Sequence, residues 1–277
     1  MAEAFRFTDP CWLALARENH KKYVTAEPFP HIVLDNFLPD KVIKEVLSGL
    51  VDPTKVEAAE DTTTYNQTSF RKAHITTDWF DKLGAPVENL FYQLNSPAFL
   101  EFLEALTGIE GLIPDPYLKG GGVHMIGPGG FLKIHADFNW HQKLKLDRRI
   151  NFLLYLNPEW KEEYGGQLEL WDTGMKSCQK KVLPISNRCV IFSTTDYSYH
   201  GHPDPLKCPE GMYRTSLALY YYSNGRPKNE VRFAGNQQTL YQKRQVDQFE
   251  TNTRRKLIPS ALFRLRHQWR RFKELNP

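Results

Sequence analysis

The chain is short of the features that would place it in several large protein classes. Cysteine is scarce. The four present, Cys11, Cys178, Cys189 and Cys208, show no C-x-x-C spacing, which argues against a zinc ribbon and against a disulfide framework. No apolar run approaches the length a membrane-crossing helix needs. The opening stretch MAEAFRFTDPCWLALARENHKKY has no basic region leading into a long apolar core. No secretory signal is therefore expected, and a reducing cytoplasm is the expected location. No internal repeat of solenoid length is present. A single-sign charge excess is also missing overall: the net charge is only +4. That balance hides an asymmetry, because residues 226–277 carry thirteen Lys/Arg against four Asp/Glu. A basic segment of this kind suits an acidic or RNA-rich partner, or a solvated helix packed by its apolar stripe.

What is present is an ordinary globular composition, 41% hydrophobic over 277 residues, enough to bury a core without metal or disulfide staples. The first part reads as helical support, residues 1–110. A helix is expected from Pro10 to Tyr23, then an extended PFPHIVLDNFLP. Asp40 is expected to cap a helix through KVIKEVLSGL, where Val42, Ile43, Val46 and Leu50 recur at helical spacing. Residues 53–67 read as a polar loop. Two helices follow around Asp78 to Leu106, broken at Asn95, Ser96 and Pro97, the second stopping at Gly108. From Ile113 the period changes. RINFLLYLN, GGQLELWD, RCVIFSTT and RTSLALYYYS are short strands separated by turn residues, with no helices between them. That pattern points to an antiparallel sandwich or barrel of jelly-roll type over residues 111–225. Residues 226–277 form a basic extension ending in an expected helix from about Pro259.

The chemistry concentrates in FLKIHADFNW. His135 and Asp137 lie two apart in a strand-like run, so both can reach one centre. An imidazole and a carboxylate make two thirds of a facial triad, whose second histidine would come from another strand; with open positions, this is the donor set of non-haem Fe(II) oxygenases. DYSYHGHPDP offers His200, the first choice, directly after a strand-like run. His202, in a turn before a proline, is the alternative. A bidentate 2-oxo acid and O2 would fill the remaining positions. The distal carboxylate of such an acid needs a cation, and Arg214, opening RTSLALYYYS, can supply a bidentate fork. His124, Asn139, Trp140, His141 and Asn151 are candidates for the substrate pocket wall.

In order and spacing, HADF, RRINFLLYLNPEWKEEYGGQLELWD, NRCVIFSTTDYSYHGH and RTSLALYYYS resemble the 2-oxoglutarate/Fe(II)-dependent dioxygenases, in their prolyl 4-hydroxylase-like branch, over about residues 120–224. The resemblance implies an α+β chain with a double-stranded β-helix (jelly roll), N-terminal supporting helices and a C-terminal basic helix. It implies that His135, Asp137 and His200 bind Fe(II), and that Arg214 and Tyr155 bind 2-oxoglutarate. The implied reaction couples decarboxylation of 2-oxoglutarate by O2, giving succinate and CO2, to hydroxylation of a C–H bond, first of all a prolyl side chain of a protein or peptide. Ascorbate is a further candidate cofactor. One departure from the pattern is visible: the aromatic usually found shortly before H-x-D is replaced by aliphatic Met125, Ile126 and Leu132. The same chemistry on a small molecule, and a non-catalytic jelly-roll binding module, are the competing readings.

Overall fold

The computed structural model describes residues 4–52, 70–73, 83–230 and 238–244. The chain divides into two units, Met1–Gln242 and Lys243–Pro277, and the account below concerns the first. The expected loop at 53–67, the start of the helix expected near Asp78 and the expected C-terminal helix lie outside the described residues.

Helix α1 spans Pro10–Val24; its Asp9 cap accepts the Cys11 amide at 2.9 Å and Pro10 opens the first turn. Helix α2 spans Asp40–Ser48. Asp40 is not its cap: Pro39 holds that position, and no side chain caps the helix. Asp40 sits instead in the first turn, where its charge still meets the positive end of the helix dipole. Helices α3 (Ala85–Leu94) and α4 (Pro97–Thr107) follow. Ser96 Oγ accepts the Phe99 amide, and Gly108 ends α4 at φ 72°, a left-handed conformation that costs glycine nothing.

The strands form two antiparallel sheets. The larger contains β1 (His31–Leu34), β2 (Phe70–Ala73), β4 (Gly122–Ile126), β7 (Leu146–Tyr155), β10 (Cys189–Ser193) and β12 (Arg214–Ser223), in the order β1-β10-β7-β12-β4-β2. The short β3 (Ile113–Pro114) pairs with β12, and β6 (Trp140–His141) with β7. The smaller contains β5 (Leu132–Ala136), β8 (Leu168–Trp171), β9 (Cys178–Val182), β11 (His200–His202) and β13 (Leu240–Tyr241), ordered β13-β5-β11-β8-β9. Strand β13 comes from the stretch read as an extension, yet it pairs with β5.

Alternation along the central strands assigns each sheet face its job. Val123 and Met125, Ile150, Phe152 and Leu154, and Leu217, Leu219 and Tyr221 are buried in one cluster with Trp12, Phe99 and Phe102 of the helices. Each such side chain contributes about 1.5–3 kcal/mol on burial. Their neighbours His124, Asn151, Leu153, Ser216 and Tyr220 line a cavity that also touches β5, β8 and β11 of the smaller sheet. The helices thus stiffen the back of the larger sheet, and its front is left for the site.

Candidate active site

His135 is the penultimate residue of β5, and Asp137 lies one residue past the strand's end. His200 opens β11 directly opposite His135, so the two rings face each other with centroids 4.5 Å apart. His135 Nε2 is 3.5 Å from Asp137 Oδ1 and His200 Nε2 is 3.4 Å from Oδ2. One donor atom from each of the three residues falls within 4.8 Å of the others, and all three residues are buried. The tautomers follow from the backbone. His135 Nδ1 contacts the Lys133 carbonyl at 2.8 Å and His200 Nδ1 contacts the Ser198 carbonyl at 2.9 Å. A carbonyl only accepts, so both Nδ1 atoms carry the proton and both Nε2 lone pairs point inward. Burial lowers the His200 pKa to about 4, so that ring is neutral near pH 7.

A second ring of contacts fixes the carboxylate. Asp137 Oδ2 accepts from Arg148 Nη2 at 2.9 Å and from Asn151 Nδ2 at 2.7 Å. Asn151 Oδ1 in turn accepts from Arg148 Nε at 3.0 Å and Nη2 at 2.6 Å. The Arg148 guanidinium is only 1% exposed and lies 3.4 Å from the Tyr220 ring centroid and 4.6 Å from that of Phe138. Burial alone would raise the Asp137 pKa. The charge of Arg148, helped by His200 and His135, outweighs it and holds the carboxyl well below the usual carboxylate range.

Arg214 and Tyr155 form a second corner of the cavity region. Arg214 Nε donates to the Gly166 carbonyl at 2.7 Å and Nη2 to the Tyr155 hydroxyl at 3.2 Å. That leaves Nη1 without a partner among the described residues. Burial raises the Tyr155 pKa, despite the Arg214 charge beside it, so its hydroxyl keeps a proton to donate. Gly166 has φ +71°, and a Cβ there would lie 2.6 Å from Leu206 and 3.0 Å from Arg214 Cδ. The second glycine of the GG turn is therefore what lets the arginine lie flat against the backbone. The cavity has a volume of about 240 Å³. Its wall includes His135, Asp137, His200, Arg148, Asn151 and Arg214.

Residues 121–222 match the family model described as 2OG-Fe(II) oxygenase superfamily. The matched stretch runs from the start of β4 into β12. It contains every residue of the two corners just described. The chain is 35% identical over 79 residues to prolyl 3-hydroxylase OGFOD1 of Mus musculus, a match covering 27% of this chain and 14% of that protein. The Xenopus laevis protein of the same name is 33% identical over 79 residues, covering 27% and 15%. The match thus spans about one seventh of the length of these curated relatives. Among solved structures, a Trichoplax adhaerens prolyl hydroxylase in complex with a hypoxia inducible factor peptide superposes with TM-score 0.52 at 17% identity, covering 78% of this chain and 95% of that one. A Pseudomonas putida prolyl-4-hydroxylase gives 0.51 at 16%, covering 76% and 100%. These likenesses show a shared prolyl hydroxylase-type jelly-roll fold.

The site fits Fe(II) and 2-oxoglutarate, the metal and cosubstrate that the matched family model names. Two imidazoles with inward Nε2 atoms and an ionised carboxylate suit Fe(II), and a buried guanidinium with a free Nη1 suits a carboxylate. The structure places four of the candidates differently from expectation. Asn139 does not face the cavity: its amide donates to Asp196 Oδ1. Trp140 lies in β6 against β7, also away from the cavity. Alternation fails there because the chain leaves β5 after Ala136 and crosses to the other sheet. His202 is not in a turn but in β11, buried. His141 likewise lies outside the cavity wall, beside Asp115. His124 does line the wall, and its Nε2 donates to the Gly120 carbonyl at 3.1 Å.

Arg148 is the residue that sequence reasoning misses. Counting by twos from Asn151 sends Arg149 rather than Arg148 toward the cavity. A register shift places Tyr221 opposite Ile150 but Tyr222 opposite Arg148, so Arg149 is the extra residue of a bulge. The bulge reverses the alternation and turns Arg148 inward. Its only sequence signal is a charged pair at the head of an apolar strand.

Proposed function

We propose that this chain is a 2-oxoglutarate- and Fe(II)-dependent hydroxylase of a protein or peptide side chain, prolyl first, releasing succinate and CO2. The convergence of His135, Asp137 and His200 in one cavity wall with Arg214 supports the reading most directly. His135, Asp137 and His200 would hold the iron, and Arg214 with Tyr155 would hold the distal carboxylate of 2-oxoglutarate. When bound, iron and 2-oxoglutarate together supply the O2-derived oxidant for C–H hydroxylation. The chain's own residues do the positioning. The Lys133 and Ser198 carbonyls orient the imidazoles, and Arg148 and Asn151 hold Asp137 ionised through Oδ2. The prolyl choice is supported by the OGFOD1 relatives, whose name is that of a prolyl 3-hydroxylase.

The test is incubation with Fe(II), 2-oxoglutarate and a proline-containing peptide library. Succinate release with a +16 Da peptide product is the expected result, and amino-acid analysis then separates 3- from 4-hydroxyproline. Turnover supported only by small molecules contradicts the peptide reading. Arg214→Ala is expected to weaken 2-oxoglutarate binding by about 10–100-fold, the worth of a charge-assisted carboxylate contact. Metal affinity, measured with Mn(II), should not change. The basic segment 226–277 is read as docking an acidic or RNA-rich partner. Unchanged substrate affinity after deletion of residues 254–277 contradicts that reading.

A further inference from the structure

His202 stands apart among the polar groups of the core. Four described residues have buried side-chain polar atoms without a hydrogen-bond partner, and of these only His202 belongs to the cavity wall. Neither of its ring nitrogens has a partner among the described residues, and the residue is 3% exposed. An unpartnered buried imidazole is a cost to folding, so a partner supplied by a ligand would give it a purpose. It is not part of the three-residue group that could hold a metal ion. It lies one pleat beyond His200 on β11, past a register shift, paired with Leu132 rather than with His135. An imidazole carries at least one N–H donor in either protonation state.

We infer that His202 donates a hydrogen bond to the distal carboxylate of the 2-oxo acid cosubstrate. With Arg214 Nη1 and the Tyr155 hydroxyl it forms a three-donor cradle. The inference rests on the 2-oxoglutarate reading above and deepens it. A carboxylate has about four lone-pair sites, so three donors from three directions can be accommodated. Such a cradle selects a dicarboxylic 2-oxo acid over a monocarboxylic one, because only the former brings a charge to that corner. His202 is thus a residue of cosubstrate recognition, not a metal ligand.

The experiment measures binding by calorimetry, anaerobically, to full-length protein loaded with Mn(II). The ligands are 2-oxoglutarate and 2-oxobutyrate, which lacks the distal carboxylate. His202→Val should weaken 2-oxoglutarate binding by about tenfold or more, the range for a hydrogen bond to a charged group. It should leave Mn(II) and 2-oxobutyrate binding unchanged. Its melting temperature should be no lower than that of the wild type, since two orphaned nitrogens are removed. His202→Gln, which keeps an N–H donor, should fall between the two, and it carries the comparison if the valine variant does not fold. Wild-type 2-oxoglutarate affinity in both variants overturns the inference. So does an equal loss for 2-oxobutyrate, or loss of Mn(II), which would make His202 a ligand. Wild-type protein that takes up Mn(II) but not 2-oxoglutarate overturns the parent reading instead, and this one with it.

Discussion

His200→Ala is expected to give a folded protein with no 2-oxoglutarate turnover above background. The substitution removes one of three inward donors and its Nδ1–H hydrogen bond to the Ser198 carbonyl. Loss of that bond costs about 1 kcal/mol, too little to unfold a core of this size. The effect should therefore fall on iron retention and activity, readable by metal analysis beside a thermal melt. Asp137→Ala is a less clean probe of the same claim. It would also strand the buried Arg148, whose Nη2 lies 2.9 Å from Oδ2. An unpaired buried charge costs about 3–5 kcal/mol, so inactivity of that variant would mix lost metal with a weakened fold. Full activity in His200→Ala would show that the ligand assignment is wrong.

Arg148→Met should cost about 3–5 kcal/mol of stability, because a buried carboxylate loses its counter-charge. Methionine keeps much of the stem's packing between Tyr220 and Phe138, so the loss reports charge rather than volume. The sign with metal is specific. A divalent ion bound at Asp137 supplies part of the missing positive charge, so added Mn(II) should recover more stability in Arg148→Met than in the wild type. By linkage, Mn(II) should then bind Arg148→Met more tightly than the wild type, since a larger stabilisation by the same metal concentration requires a lower Kd. Urea melts with and without Mn(II) measure both. A variant as stable as the wild type in the absence of metal would contradict the role given to Arg148.

Much of this was legible in the sequence because alternation is a local property. RTSLALYYYS coincides with β12, residues Arg214–Ser223. The H-x-D pair and the following histidine converge because β5 and β11 are neighbours. The helix stop at Gly108 was visible as a glycine after an apolar helical stripe. The failures share a cause, which is that period-two counting holds only inside an uninterrupted strand. Asn139 and Trp140 were carried past the end of β5, where it no longer applies. Arg148 was hidden by the bulge at Arg149. Two-residue β13 is too short to show any period, yet it brings Tyr241 opposite His135. The strand position of His202 was masked by the proline that follows it.

The most direct test of the central claim is an anaerobic titration of the purified protein with Fe(II) and then 2-oxoglutarate, watched for the weak visible charge-transfer band of the chelate. A band that saturates near one equivalent, and is lost in His200→Ala, is the expected result. Folded, metal-loaded protein that shows no band would contradict the account and favour a jelly-roll binding module without this chemistry.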